Sequence, residues 1–477
     1  MQVLVASNRG PVSFGRSEDG ALTVRRGGGG LVSGLASVAA GTDLLWICAA
    51  LSDDDRTAAR EDPEGRLDRA GHDTGAVRML DIPEKTFQRA YNSVANSTLW
   101  FVHHLLYDTP NAPHFDAAFR RDWQAYAAYN AAFAGALGQD AAPGAKVVVQ
   151  DYHLALVPGM LRQARPDLRI AHFSHTPWAP PAYFRLLPDD IATDILEGML
   201  GADHLGFLSE RWAGAFLDCC AEILDAKVDR ISGTVTHRGR TTRVGVHALG
   251  VDGAELRERA GRADVAERMA QLREQVGGRQ LILRIDRTEL SKNIVRGLAA
   301  YWELLLNHPE WRGQVVHVAF AYPSRTDLPE YRAYTAAVER LAGEINDEFG
   351  TDTWTPLILQ VKDDYARSLA ALRIADVLVV NPIRDGMNLV AKEGPVLSDG
   401  GCALVLSREA GAAAELGEDA LPVNPFDVSQ TAETLNQALL LGAEERRERT
   451  ARLAAAATAL PPGHWFAEQL TALDGVH

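Results

Sequence analysis

Arg384-Asp385-Gly386-Met387-Asn388-Leu389-Val390-Ala391-Lys392-Glu393 follows the apolar run Val377 to Val380 and leads into a stretch of helical character. A strand, a glycine-containing turn and a helix in this order form the junction at which α/β proteins hold phosphorylated ligands. The glycine lets backbone N–H groups come close to a ligand, and the helix N-terminus adds partial positive charge suited to a phosphate or a sugar oxygen. Asp385 reads as an acceptor for a hydroxyl. Glu393 lies four residues after Leu389, on the same helix face, within reach of a ribose. The arrangement suggests a nucleotide-sugar site.

The same alternation runs through the chain. Short β-branched runs occur at Val3 to Ala6, Lys146 to Gln150, Arg169 to Ser174, Val244 to Ala248, Gln280 to Ile285, Val315 to Ala321, Leu357 to Val361, Val377 to Val380 and Ala403 to Leu406. Longer Ala, Leu and Arg-rich stretches of helical period separate them, which predicts an α/β protein with parallel sheets. At 477 residues the chain exceeds what one core usually serves, so two domains are expected. The Arg, Glu, Ala and Gly-rich interval from Gly253 to Gly278 lies between two strand candidates, and the linker is expected at Leu249 to Asp252. These readings predict a first domain over 1–250, a second over 251–455 and a tail over 456–477. In the tail Pro461-Pro462 precedes an apolar helix carrying Trp465 and Phe466, expected to pack back on the first domain.

Composition limits the function. The formal net charge of -15 opposes non-specific nucleic-acid binding and leaves room for a local basic cleft. Four cysteines, without ligand spacing, predict neither a disulfide framework nor a metal site, and point to a reducing compartment. No run approaches the roughly 18 apolar residues of a membrane span, so a cytoplasmic protein is expected. No cofactor, metal, nucleic acid or membrane partner is expected, and a homo-oligomer is left open.

Further candidate residues sit at expected strand ends. The run Gly27-Gly28-Gly29-Gly30 before an apolar helix can present amides to an anion, with Arg9 just after the first strand. Arg287 and Lys292 follow the strand Gln280 to Ile285 and can aim two cations at one pyrophosphate. Asp151 and His175 follow neighbouring strands. Tyr91, Asn96 and Trp100 form a polar and aromatic stretch that suits a sugar face or, equally, a core helix.

Ser7-Asn8-Arg9, Gly29-Gly30-Leu31, Tyr91 through Trp100, Asp151-Tyr152-His153, His175-Thr176-Pro177, Gly206-Phe207, Arg287 to Lys292, Ser324-Arg325, Arg384 to Glu393 and Ser407 to Ala412 occur in that order. On these blocks the chain resembles, essentially end to end, the trehalose-6-phosphate synthases. These are retaining glycosyltransferases of the GT-B architecture, two Rossmann-like domains with the active site in the inter-domain cleft. The resemblance implies transfer of glucose from a nucleoside diphosphate to glucose 6-phosphate. It implies that Arg9, Tyr91, Trp100, Asp151 and Arg325 hold the acceptor. It implies that Gly30, Arg287 and Lys292 face the donor phosphates, that Asp385, Gly386, Met387, Asn388 and Leu389 hold the glucose, that Glu393 binds ribose and that His175 touches the glucose. Asp151, His175, Arg287 and Lys292 then surround the reacting centre. No carboxylate pair at glycosidase spacing is assignable and no catalytic base is expected.

Departures from that pattern occur at Glu289, where relatives carry Asp, at Asn293, where they carry Gly, and at Gly394-Pro395-Val396. These positions lie beside the nucleoside in the resemblance and favour GDP-glucose over UDP-glucose or ADP-glucose. Cys48-Ala49 departs near the acceptor. The alternatives are a pseudo-glycosyltransferase joining a nucleotide-cyclitol to an amino-cyclitol phosphate, and an inactive sugar-phosphate sensor. Met387 within the intact turn favours the synthase.

Overall fold

The computed structural model describes residues 2–17, 19–26, 43–61 and 76–474. Its strands in chain order are β1 (Val3–Ser7), β2 (Val12–Arg16), β3 (Leu22–Arg26), β4 (Leu44–Ala49), β5 (Ala76–Leu80), β6 (Lys146–Gln150), β7 (Arg169–Ser174), β8 (His204–Phe207), β9 (Lys227–Asp229), β10 (Thr234–His237), β11 (Arg240–Val246), β12 (Gln280–Arg287), β13 (Val315–Tyr322), β14 (Leu357–Gln360), β15 (Val377–Val380), β16 (Ala403–Ser407) and β17 (Leu421–Val423). Every strand expected from sequence is present.

The chain divides into two compact units. One comprises residues 1–249 and 462–477, the other residues 250–461. The first holds a nine-stranded sheet in the order β5-β4-β1-β6-β7-β8-β11-β10-β9, parallel from β5 to β11 and antiparallel through β10 and β9. The second holds a six-stranded sheet, β14-β13-β12-β15-β16-β17, parallel throughout. Its order turns back between β12 and β15, the kind of switch point outside which doubly wound folds place ligands. Central strands such as Val147-Val148-Val149 are fully buried. Helices cover both faces of such sheets, so these strands read as unbroken apolar runs.

Side-chain caps set several helix starts. Asp116 accepts the amides of Ala118 and Phe119 at 2.9 Å and starts the helix Ala117–Asp140. Asp252 does the same for Gly253–Ala260, the first helix of the second unit. The interval expected to hold the boundary is therefore largely helical, and the change of unit falls at Leu249 and Gly250. Caps of this type contribute about 1 kcal/mol each.

The helix Ala443–Thr458 runs beyond the expected start of the tail, and residues to Pro461 group with the second unit. Only the helix Pro462–Ala472 belongs to the first. There Trp465 is fully buried, edge-on to Phe173 with ring centroids 5.0 Å apart. Lys146 Nζ donates to the Leu470 carbonyl at 3.0 Å and pairs with Asp474 at 2.6 Å. Glu468 lies 3.3 Å from His247 Nδ1.

Candidate functional site

In the second unit the candidate residues follow the carboxyl ends of β12, β13, β15 and β16. After β15, Asp385 accepts from Lys292 Nζ at 2.5 Å and from Asn388 Nδ2 at 3.1 Å through the same oxygen. Asn388 has φ +82°, a left-handed conformation rare outside glycine, and caps its helix by accepting the Ala391 amide at 3.1 Å. The turn is clamped from the segment after β16. Glu409 O accepts the Asp385 amide at 3.2 Å, while the amides of Gly411 and Ala412 donate to Asp385 O and Met387 O at 3.1 and 2.9 Å. A Cβ at Gly411 would come within 1.9 Å of the Gly386 oxygen, so only glycine permits this approach. Below the turn Lys392 Nζ, fully buried, pairs with Glu415 at 2.7 Å and ties the same segment to the helix Leu389–Leu397.

The cations after β12 and β13 are organised by one buried carboxylate. Glu289 accepts from Ser324 Oγ at 3.0 Å and lies 3.1 Å from Arg287 and 3.6 Å from Arg325. Burial opposes its charge, but Arg287, Arg325 and Lys292 together outweigh burial and hold its pKa below the usual glutamate value. Lys292 shows the converse. Burial disfavours its ammonium, yet Asp385, Asp286 and Glu289 raise its pKa, so it stays charged. Arg325 has φ +44°, donates to Tyr331 Oη at 2.6 Å and stacks over that ring. The Arg287 side chain is 59% exposed and free to meet an anion.

Glu393 has neither a hydrogen bond nor an ion pair among the described residues, and burial alone pushes its carboxyl up to about 7. An unpartnered, half-buried carboxylate one turn beyond a phosphate-type turn fits a sugar hydroxyl donor.

In the first unit Asp151 and His175 come together at the ends of β6 and β7. Asp151 has φ +73° and ψ 168°, a strained backbone for a residue with a side chain. Its Oδ1 accepts the His175 amide at 3.2 Å, and its Oδ2 lies 3.8 Å from His153 Nδ1. His175 Nε2 is 2.8 Å from Gln150 Oε1, which can only accept, so Nε2 carries the proton and Nδ1 is left as the acceptor. Burial, with His172 nearby, depresses the His175 pKa to about 3. This imidazole is neutral across the physiological range.

Tyr91 stacks between Phe87 and His153, with centroids at 5.2 and 5.6 Å. Trp100 stacks on His104 at 3.8 Å and sits at the end of an unusually wide π-helical segment, Arg89–Leu99. Both rings keep some solvent access, so neither is the fully buried core residue of the alternative reading. Asn96 is buried and accepts from Tyr152 Oη at 2.9 Å. Arg9 is exposed just beyond β1, where Tyr129 Oη donates to Asn8 Oδ1 at 2.6 Å. Gly27 to Gly30, with the Gly29-Gly30-Leu31 loop, lie outside the described residues.

The expected residues thus fall into two groups. Arg9, Tyr91, Trp100, Asp151 and His175 belong to the first unit. Arg287, Lys292, Arg325, Asp385 to Leu389 and Glu393 belong to the second. Arg325, expected with the acceptor group, is held with Arg287 by Glu289. Sequence reasoning missed Glu289 as an organiser, Gln150 as the partner of His175, and the Lys392–Glu415 strut. The signal available for Glu289 was its place between two expected cations.

Two doubly wound units, one carrying cations and hydroxyl acceptors around a strand–turn–helix junction, the other carrying an aromatic and polar strand-end group, have the architecture of the two-Rossmann glycosyltransferases. The family model described as glycosyltransferase family 20 matches residues 1–474, and the chain belongs to that family. A bifunctional trehalose-6-phosphate synthase/phosphatase of Thermoproteus tenax is 35% identical over 94% of this chain and 60% of its own length. The trehalose-6-phosphate synthase of Mycobacterium sp. (strain JLS) is 35% identical over 98% of this chain and 95% of its own. A solved structure described as "trehalose-6-phosphate from E. coli bound with UDP-2-fluoro glucose" superposes with a TM-score of 0.88 over 100% of both chains at 28% identity. The chain spans between 54% and 61% of the length of the T. tenax, Dictyostelium discoideum and Arabidopsis thaliana relatives. Relatives from D. discoideum, Schizosaccharomyces pombe and Yarrowia lipolytica carry "UDP-forming" in their names. Those names run against the guanosine donor expected from sequence.

Proposed function

We propose that this chain transfers glucose from a nucleoside-diphosphate glucose to glucose 6-phosphate with retention, giving α,α-trehalose 6-phosphate. The observation that carries this reading is the second unit's junction, in which Lys292, Asp385 and Asn388 are joined beside Arg287 and the unpartnered Glu393. The names of the relatives support it. Arg287 and Lys292 take the donor diphosphate, Asp385 and the Gly386 to Leu389 backbone take glucose hydroxyls, and Glu393 takes the ribose. Arg9, Tyr91, Trp100 and Asp151 take the acceptor, whose phosphate is met by Arg325.

In the reaction the bond between glucose C1 and the diphosphate oxygen breaks, and a bond from C1 to the acceptor's anomeric oxygen forms on the same face. The acceptor proton passes to the leaving phosphate oxygen. No side chain is needed as base, which accords with a His175 imidazole whose pKa is depressed to about 3. Arg287 and Lys292 stabilise the charge that grows on the leaving phosphate, a contribution of several kcal/mol in such sites. Gln150 accepts from the Nε2 N–H and the depressed pKa keeps the ring neutral, so His175 presents Nδ1 as an acceptor for a glucose hydroxyl. The four free, buried cysteines fit a reducing compartment, and we place the reaction in the cytoplasm.

For the donor base we propose GDP-glucose ahead of UDP-glucose. The support is the departure at Glu289, Asn293 and Gly394 to Val396, which lie in segments adjoining the expected nucleoside. Asn293, with φ +58°, ties Asn381 O and Pro425 O together at 3.0 and 2.6 Å, so its effect on the base is exerted through the loop it shapes. The test is nucleoside diphosphate release with glucose 6-phosphate and each of GDP-, UDP- and ADP-glucose, with the product identified by mass and NMR. Trehalose 6-phosphate formed fastest from GDP-glucose is expected. A faster UDP-glucose reaction overturns the base preference alone, and silence with all three donors overturns the synthase reading in favour of a cyclitol-coupling enzyme or a sensor.

A further inference from the structure

A cavity of about 520 Å³ opens at the opposite edge of the second unit's sheet. Its walls come from Gly278 and Arg279 just before β12, Ala375 and Asp376 just before β15, and Gly400 and Gly401 just before β16. All three strands are parallel, so the cavity lies at their amino ends, whereas Arg287 and Asp385 follow their carboxyl ends. Along β12 the two edges are about 20 Å apart at ~3.3 Å per residue. The cavity is therefore separate from the candidate site, though within the usual size range of small-molecule sites.

Its charges do not balance. Asp399 is paired with Arg373 at 3.1 Å, and Asp376 with Arg446 at 3.2 Å while also accepting the Leu281 amide at 2.9 Å. Both acidic residues of the lining are thus already neutralised. Arg279 donates only to backbone carbonyls, those of Gly313, Val276 and Thr353 at 3.0, 3.2 and 2.8 Å, which fix its guanidinium without cancelling its charge. Arg273 lines the cavity, is exposed and has no carboxylate partner among the described residues. Arg447 is likewise exposed, and its Cγ lies 3.0 Å from where a Gly401 Cβ would be. Two uncompensated guanidiniums in the lining, with Arg447 packed against its Gly401 wall, stand out in a chain of net charge -15. Such groups favour phosphate, whose oxygens match the guanidinium fork.

We propose that this cavity is a second ligand site, which binds the phosphate group of a small phosphorylated metabolite. Helices reach it from the other edge. The helix Leu389–Leu397 starts at the Asn388 turn and is followed directly by Asp399 to Gly401, and the helix Tyr365–Ile374 ends with Arg373 in the lining. This inference does not rest on the assigned reaction.

The test is to soak crystals of the full chain with tungstate and locate it by anomalous scattering, in the wild type, in Arg273→Glu and in Arg447→Glu. Both substituted side chains are exposed and unpaired, so the variants are expected to fold. Tungstate in the wild-type cavity, lost or reduced at least tenfold in occupancy in the variants while any tungstate at the Arg287 and Lys292 edge persists, is the expected result. No tungstate in the wild-type cavity, or equal occupancy in all three proteins, overturns the proposal. Competing soaks with inorganic phosphate, glucose 6-phosphate and a nucleoside monophosphate then separate the sources, since the true class displaces tungstate at the lowest concentration. Displacement by none of them also overturns it.

Discussion

Glu393 is the residue whose chemistry follows most directly from its surroundings. Its carboxyl is raised from the ordinary value near 4.5 to about 7 by burial alone, so the folded protein retains a proton that the unfolded chain releases between these values. Folding stability therefore falls as pH rises from about 4.5 through 7 and levels off above that. Glu393→Gln removes the titration. It is expected to match the wild type near pH 4.5 and to be more stable by about 1–3 kcal/mol above pH 7, read from urea unfolding at both pH values. Parallel stability curves would show that the carboxyl is not desolvated. The same variant should weaken donor binding, because the hydroxyl acceptor is reduced to a neutral amide. His175 makes a contrasting case. Its pKa of about 3 means that it does not titrate above about pH 5, so His175→Asn is expected to lower kcat by about 100-fold without moving either limb of the pH profile between pH 5 and 9. A limb missing from the variant would mark His175 as a titrating base. The positions of both residues were legible in the sequence, Glu393 from its spacing after the turn and His175 from its strand end. Their protonation was not, because it is set by Gln150, His172 and burial, which meet only in the fold.

At the scale of elements, the nine strands read from sequence all take part in parallel pairing and are mostly apolar runs, but β4, β5 and β8, which pair in parallel inside the first sheet, were not read. β10 and the start of β11 escaped because they are not continuous apolar runs. Thr234-Val235-Thr236-His237 and Arg240-Thr241-Thr242-Arg243 form the antiparallel edge of the first sheet and alternate with polar residues. The clamp between the Arg384 to Asn388 turn and the Ser407 to Ala412 segment was legible only as two separate blocks. Their joining depends on a backbone approach that no spacing reveals. It predicts the outcome of Gly411→Ala. A Cβ 1.9 Å from the Gly386 oxygen cannot be accommodated without moving the turn, so kcat/KM for the donor should fall at least 10-fold, while the KM for the acceptor stays within about twofold. A variant with unchanged donor kinetics would show that the turn tolerates the displacement.

At the scale of the whole molecule, two domains followed from chain length, and the apolar character of the last helix was plain in Trp465-Phe466. What the sequence did not disclose is that the second unit continues to Pro461 and that Trp465 meets Phe173 and His175, 5.0 and 5.5 Å away, at the end of β7. Trp465→Ala leaves a large void in the first unit and is expected to destabilise it by about 3–5 kcal/mol, visible as an earlier transition in thermal unfolding. A shift below about 1 kcal/mol would mean that the helix is only loosely held. The chain leaves the first unit at Leu249 and comes back to it at Pro462, after the entire second unit has been made. A ribosome that has released the first 249 residues has therefore not yet released the ring that covers Phe173 and His175. The second unit has all its residues in one stretch and can be finished earlier. Maturation of the first unit must wait for the last helix to emerge, so any stop codon between Pro461 and Trp465 would yield a product with a complete second unit and an uncovered first one.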